Sequence, residues 1–173
     1  MRKVLVSALV AISTLSAHAQ QTDKIISGYG YTIDGNTIQI GSDKIRLVGS
    51  AAPKLTQTGQ DTIARPYPAG LYARDVLASI IADKPLGCRV VPQKGEEKDA
   101  EGRFFGICAA PKISDVSGEM IKRGWAMIDR SGETQIYSTY VNIETSSKTI
   151  RRGIWQGPID KPWEFKANQQ SDQ

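Results

Sequence analysis

The chain has 173 residues, with 22 lysines and arginines against 18 aspartates and glutamates, a formal net charge of +4. That length suits one ordinary domain with a real core, and so mild a charge, with acidic residues interspersed, does not by itself point to nucleic acid. The only histidine is His18, so its fate decides whether any imidazole chemistry is open to the protein.

Residues 1–19 read as a secretory signal peptide. Arg2 and Lys3 form a basic start, Val4 to Ala17 is an apolar run, and Ala17-His18-Ala19 is a small-x-small cleavage site. The run falls short of the ~20 residues of a membrane span, and no cysteine follows it to carry a lipid anchor. Cleavage after Ala19 removes Arg2 and Lys3, so 22 basic residues become 20 against 18 acidic and +4 becomes +2. His18 leaves with them, which excludes His triads, His general bases and His metal sites. The expected address is the periplasm or the exterior, without membrane insertion, and the expected state is a monomer.

Ile25 to Ile33 alternates as a strand, and Asp34-Gly35-Asn36-Thr37 is a turn of residues that tolerate unusual φ. Thr37–Ile40 and Ile45–Val48 follow as strands around Gly41-Ser42-Asp43. The stretch 50–68 is polar and proline-punctuated and reads as a surface loop. The spacing of Ala73, Val76, Leu77, Ile80 and Ile81 predicts a helix over 69–82, stopped at Lys84-Pro85.

Leu86–Val91 and Phe104–Ala109 are two further strands, and the charged stretch 92–103 between them reads as a solvated hairpin tip. Cys88 and Cys108 lie in these strands. In an oxidising compartment strand pairing brings them together as a disulfide, the alternative being two buried free thiols. A second helix is predicted over 115–123 with Gly124 as its cap, then an extended Trp125–Ile128. A last helix over 136–152 is expected to bury Ile136, Tyr137, Tyr140, Val141 and Ile150. The tail 166–173 is polar and expected to be disordered. Strands first and helices against them indicate an α+β fold with a small curled sheet.

Three segments, in order, resemble the staphylococcal-nuclease (thermonuclease) family and span about residues 25–165. The first is Asp34-Gly35-Asn36-Thr37, continued by Arg46-Leu47-Val48-Gly49 and Pro53. The second is Asp99-x-x-Gly102-Arg103. The third is Gly124-Trp125-Ala126, then Tyr137 and Glu144, then Gly153-Ile154-Trp155. The resemblance implies an OB-fold-like five-stranded barrel with three helices. It also implies calcium held by carboxylates, water activated against a phosphodiester, and two arginines on the transition state.

Active members of that family read Asp-Gly-Asp-Thr and later Arg-Leu-x-Gly-Ile-Asp-x-Pro-Glu. Asp34 matches the first aspartate, but Asn36 stands at the second, Ala51 at the aspartate of the proline loop and Lys54 at the glutamate. The arginines remain as Arg46 and Arg103, while the aromatic before the Gly-Arg pair is Glu101. Asn36 keeps one neutral oxygen, Ala51 offers no ligand, and Lys54 adds a positive charge where a cation should bind. What remains is read as a cationic patch of Arg46, Lys54 and Arg103. Those arginines either hold an anion or support the fold as hydrogen-bond donors.

Two functions compete on these residues. One is a non-catalytic exported domain that needs no cofactor. It would bind an anionic polymer, either nucleic acid or acidic polysaccharide, or a periplasmic protein. Signal-bearing nuclease-like chains of this kind resemble components encoded among bacterial exopolysaccharide (succinoglycan-type) biosynthesis genes. The other is a calcium-dependent phosphodiesterase of DNA or RNA with Asp34 and Asn36 as weak metal ligands, helped by Asp43, Asp61 or Asp99. A blander third is an interaction module built on exposed Trp155, Trp163 and Phe165.

Overall fold

The computed structural model describes residues 23–135 and 137–167. The signal-peptide reading, Ile136, and the tail beyond Ala167 lie outside the described residues. In chain order the elements are β1 (Ile25–Gly28), β2 (Gly30–Asp34), β3 (Thr37–Ile40), β4 (Asp43–Leu47), β5 (Ser50–Ala51), β6 (Gly59–Gln60) and β7 (Pro66–Tyr67). Then come α1 (Ala69–Ile81), β8 (Leu86–Val90), β9 (Phe104–Ala109), α2 (Val116–Lys122), β10 (Met127–Ile128), α3 (Ser138–Thr149) and a 3-10 turn, Gly153–Gln156. No described helix is long and apolar enough to cross a membrane.

The main sheet runs β1-β8-β9-β4-β3-β2, antiparallel except where β4 lies parallel to β9. Its two outermost strands, β1 and β2, are separated in sequence by Tyr29 alone. A flat sheet cannot meet that condition, so the sheet curls until its edges approach. Gly28 makes the corner at φ 145°, where a Cβ would stand 3.1 Å from the Ile40 side chain. The α+β, OB-like architecture with three helices therefore holds. The main sheet has six strands rather than five, because the predicted strand 25–33 breaks at this corner and serves both edges.

Alternation along the strands fills the barrel. Ile38 and Ile40 of β3 and Ile45 and Leu47 of β4 point inward and are buried, with Leu77 and Ile80 of α1 packed against them. β8 and β9 place Cys88 and Cys108 directly opposite each other, and the two are joined as a disulfide with Cα atoms 4.0 Å apart. The stretch 50–68 is less irregular than expected, for β5 pairs with β10 and β6 with β7.

α1 and α2 follow their periodicity closely, and Asp115 caps α2 by accepting the Gly118 N–H at 3.2 Å. α3 does not. It is shorter than the predicted 136–152, and Val141 and Ile150, expected inside, are 44% and 58% exposed. Its buried stripe is Tyr140, Glu144 and Ser147. Polar anchors choose this face: Glu144 accepts the Ile128 N–H at 2.8 Å, and Ser147 donates to the Ile121 carbonyl at 2.9 Å. Gly124 and Gly153, both at positive φ, let two backbones cross here. The Ile154 N–H meets the Gly124 carbonyl at 2.8 Å, where a Cβ on Gly153 would sit 2.3 Å from that same oxygen.

Candidate functional site

Sheet register assembles the site. Asp34 lies opposite Thr37, Thr37 opposite Arg46, and Arg46 opposite Phe105, so one row crosses β2, β3, β4 and β9. Because Ile45 and Leu47 point into the barrel, Arg46 between them must point out. Arg103 precedes Phe105 by two residues and shares its side of the chain. The parallel pairing of β4 with β9 is therefore what brings the two arginines together.

Both arginines are engaged by acids. Arg103 donates Nε to Asp99 Oδ2 at 2.7 Å, Nη2 to Glu101 at 2.9 Å and Nη1 to the Thr37 hydroxyl at 3.3 Å. Arg46 pairs with Asp129 at 3.3 Å, with Asp99 at 3.8 Å and, at closest range, with Glu133. Asp99 bridges the two guanidiniums. Its side chain is only 6% exposed, which corrects the reading of 92–103 as a merely solvated tip.

Burial alone would push the Asp99 carboxyl up. Hydrogen bonds from Arg103, and the charges of Arg103 and Arg46, outweigh burial and hold it below the usual carboxylate value. Arg103 is the reciprocal case. Burial works to lower it, but Asp99, Glu101 and Asp34 raise it on balance.

Asp129 is the second buried carboxylate, 1% exposed, and it accepts from Ser131, from the Thr134 hydroxyl at 2.8 Å and from Arg46. It follows β10 directly, whose pairing with β5 brings it beside Arg46. Asp129 and Glu133 were absent from the sequence expectations. The Asp-x-Ser-Gly run at 129–132 signals a turn, but nothing local in it says that the turn closes on an arginine 83 positions earlier.

The positions expected to hold calcium do not fit a hard cation. Asn36 donates Nδ2 to the Leu47 carbonyl at 3.2 Å and accepts the Ser50 hydroxyl at 3.0 Å, so its amide bridges β4 and β5. Ser50 stands where the family pattern has isoleucine, and it is fully buried. Asp34 accepts the Asn36 N–H at 2.7 Å and the Thr37 hydroxyl at 3.1 Å, so it organises the turn. Ala51 carries no oxygen ligand on its side chain, and Lys54 is exposed at the rim. No group of three or more His, Cys, Asp or Glu among the described residues is arranged to hold a metal. Asp43 and Asp61 do not line the cleft, and Asp61 is tied to Arg65 at 2.8 Å instead.

The cleft encloses about 620 Å³, and Asp34, Asn36, Arg46, Ala51, Lys54 and Arg103 all line it. It is not the expected cationic patch. Five cations line it (Arg46, Lys54, Lys94, Lys98, Arg103) against six carboxylates (Asp34, Glu96, Asp99, Glu101, Asp129, Glu133). One wall is apolar, made by Pro53, Leu55, Pro162, Trp163 and Phe165. Trp155 is away from it, its ring under the Lys148 ammonium at 4.4 Å.

Residues 44–157 match the family model described as Staphylococcal nuclease homologue. The chain is also similar to the Succinoglycan biosynthesis protein ExoI of Rhizobium meliloti (strain 1021). That match is 28% identical over 148 residues and covers 85% of this chain and 73% of the relative. A second similar protein is the Endonuclease YhcR of Bacillus subtilis (strain 168), 29% identical over 151 residues. Here the match covers 80% of this chain but only 12% of the relative.

Proposed function

The chain belongs to the staphylococcal nuclease homologue family, and from that premise we propose that its cleft binds an anionic polymer without cleaving it. The carrying observation is Asn36. At a position where the family pattern has a metal-binding aspartate, its amide is bonded at both ends, to Leu47 and Ser50. Ala51 and Lys54 remove two further carboxylates and leave Asp34 alone among the family's acidic positions, too few for a cation that would activate water. Arg46 and Arg103 keep the anion-facing role. The outer carboxylates on them, Glu133 and Glu101, are 58% and 67% exposed and can swing away when a ligand anion takes their place.

An exported setting, in the periplasm or outside the cell, is part of the same proposal. The Cys88–Cys108 bond supports it, since such bonds persist in oxidising compartments. The similarity to a succinoglycan biosynthesis protein favours an accessory role in exopolysaccharide production. Retention of Asp34, Arg46 and Arg103, with the similarity to an endonuclease, favours a second reading as a slow calcium-dependent phosphodiesterase.

Calorimetry with calcium, and hydrolysis of DNA and RNA in its presence, separate the two readings. The expected outcome is no saturable calcium heat and no turnover above buffer. Turnover that disappears in Arg103→Ala would overturn the non-catalytic reading.

A further inference from the structure

The family match ends at residue 157, yet the chain continues and walls the cleft with residues of its own. We infer that residues 158–165 complete a saccharide subsite, for a glycan whose carboxylates are spaced out along the chain. This rests on the binding role proposed above and names its ligand class.

The segment is anchored rather than trailing. Gln57, fully buried, donates its Nε2 to the Asp160 carbonyl at 2.7 Å while its Oε1 accepts the Lys54 N–H at 3.1 Å. One side chain thereby fixes both the proline loop and the returning segment. The Gln60 N–H meets the Pro158 carbonyl at 3.0 Å, and the Glu164 and Phe165 N–H groups both turn back to the Lys161 carbonyl. Pro162 is buried beneath, and Trp163 and Phe165 are left half-buried on the cleft side.

An aromatic plane offers an apolar surface to the C–H face of a sugar ring. Sugar hydroxyls are at once donors and acceptors, and they need both kinds of partner. Trp163 and Phe165 share the cleft with arginine–carboxylate pairs, Arg46 with Glu133 and Arg103 with Glu101, each presenting a donor beside an acceptor. A nucleic acid brings a phosphate with every nucleotide and requires an excess of cations. This cleft has five cations against six carboxylates. A glycan with an occasional carboxylate needs only to displace Glu133 or Glu101 from one guanidinium.

The test is migration of the full protein through native gels containing hyaluronan, gellan or xanthan, with dextran as the neutral control. Oligothymidylate binding is followed in parallel by fluorescence anisotropy. Retardation by at least one acidic glycan is expected. It should weaken about tenfold in Trp163→Ala, the loss expected when a large apolar contact is removed. Trp163→Phe should retain most of the affinity, and an unchanged melting temperature shows that the variants fold. No retardation by any of the three overturns the subsite. Retardation that survives Trp163→Ala but is lost in Arg46→Gln also overturns it, and leaves the anion-binding cleft standing. Tighter binding of oligothymidylate, lost in Trp163→Ala, makes the wall a base-stacking surface and overturns the saccharide assignment. Calcium-dependent hydrolysis without glycan binding overturns the subsite and the non-catalytic reading together.

Discussion

Asn36 and Ser50 form one unit, since each satisfies the other while Asn36 also serves the Leu47 carbonyl. An aspartate has no N–H to donate to that carbonyl and would confront it with like partial charge. Asn36→Asp is therefore expected to lower stability by about 1–2 kcal/mol in urea unfolding, and not to restore calcium binding by itself. A return of metal chemistry is expected only when Ala51→Asp and Lys54→Glu are made with it. Asp99 carries a pH signature. Its folded pKa is depressed, so its stabilisation is complete above the ordinary aspartate value of about 3.9 and fades as pH falls through the lower folded value. Asp99→Asn should be less stable than the parent at neutral pH. The gap should close below pH ~4, as read from thermal midpoints across a pH series.

At the scale of elements, α3 holds the site from behind. Glu144 accepts the Ile128 N–H and takes Arg130 at 2.8 and 3.0 Å and Lys148 at 2.9 Å, with its own side chain only 3% exposed. Burial would raise its carboxyl, but these partners keep it lowered. The grip fixes β10, and β10 leads straight into Asp129, the residue that positions Arg46. Glu144→Ala strands the Ile128 N–H and is expected to cost about 2 kcal/mol in urea unfolding. The cost stays modest because Arg130 and Lys148 are both partly in water and are easily resolvated. Arg46 should loosen with it, so glycan retardation should weaken even though Glu144 does not line the cleft. Hydrophobic periodicity pointed to Tyr140 and Val141 of α3 because it counts apolar residues. Tyr140 is indeed buried, but the stripe turns through Glu144 and Ser147 and leaves Val141 outside, and the contact that sets this rotation is a buried carboxylate.

For the whole molecule, closure of the sheet sets the site's geometry. Edge strand β1 reaches β4 only through β8 and β9, and the Cys88–Cys108 bond ties those two strands across a sequence separation of 20. In the chain-entropy account a loop of that length contributes about 3 kcal/mol. Unfolding in urea with and without reductant should show a loss of that order, and intact mass should rise on reduction. Both cysteines are fully buried, so the paired Cys88→Ala, Cys108→Ala variant should remain folded at reduced stability.

Local regularities determined much of this protein. The alternation of β3 and β4, the helical spacing of α1, and the turn residues at 34–37 are all readable along the chain, because each depends on neighbours within a turn or two. Asp34, Asn36, Arg46, Ala51, Lys54 and Arg103, which motif order singles out, line one cleft. The partners of those residues were not readable. Arg46 meets Asp129 across 83 positions, and Gln57 meets Asp160 across 103. Only the parallel β4–β9 register, the β5–β10 pairing and the returning C-terminal segment bring such residues within hydrogen-bond reach. Tertiary structure thereby turned an expected cationic patch into a charge-balanced cleft with an aromatic wall, because charge neutralisation depends on distance in space and not on spacing in sequence.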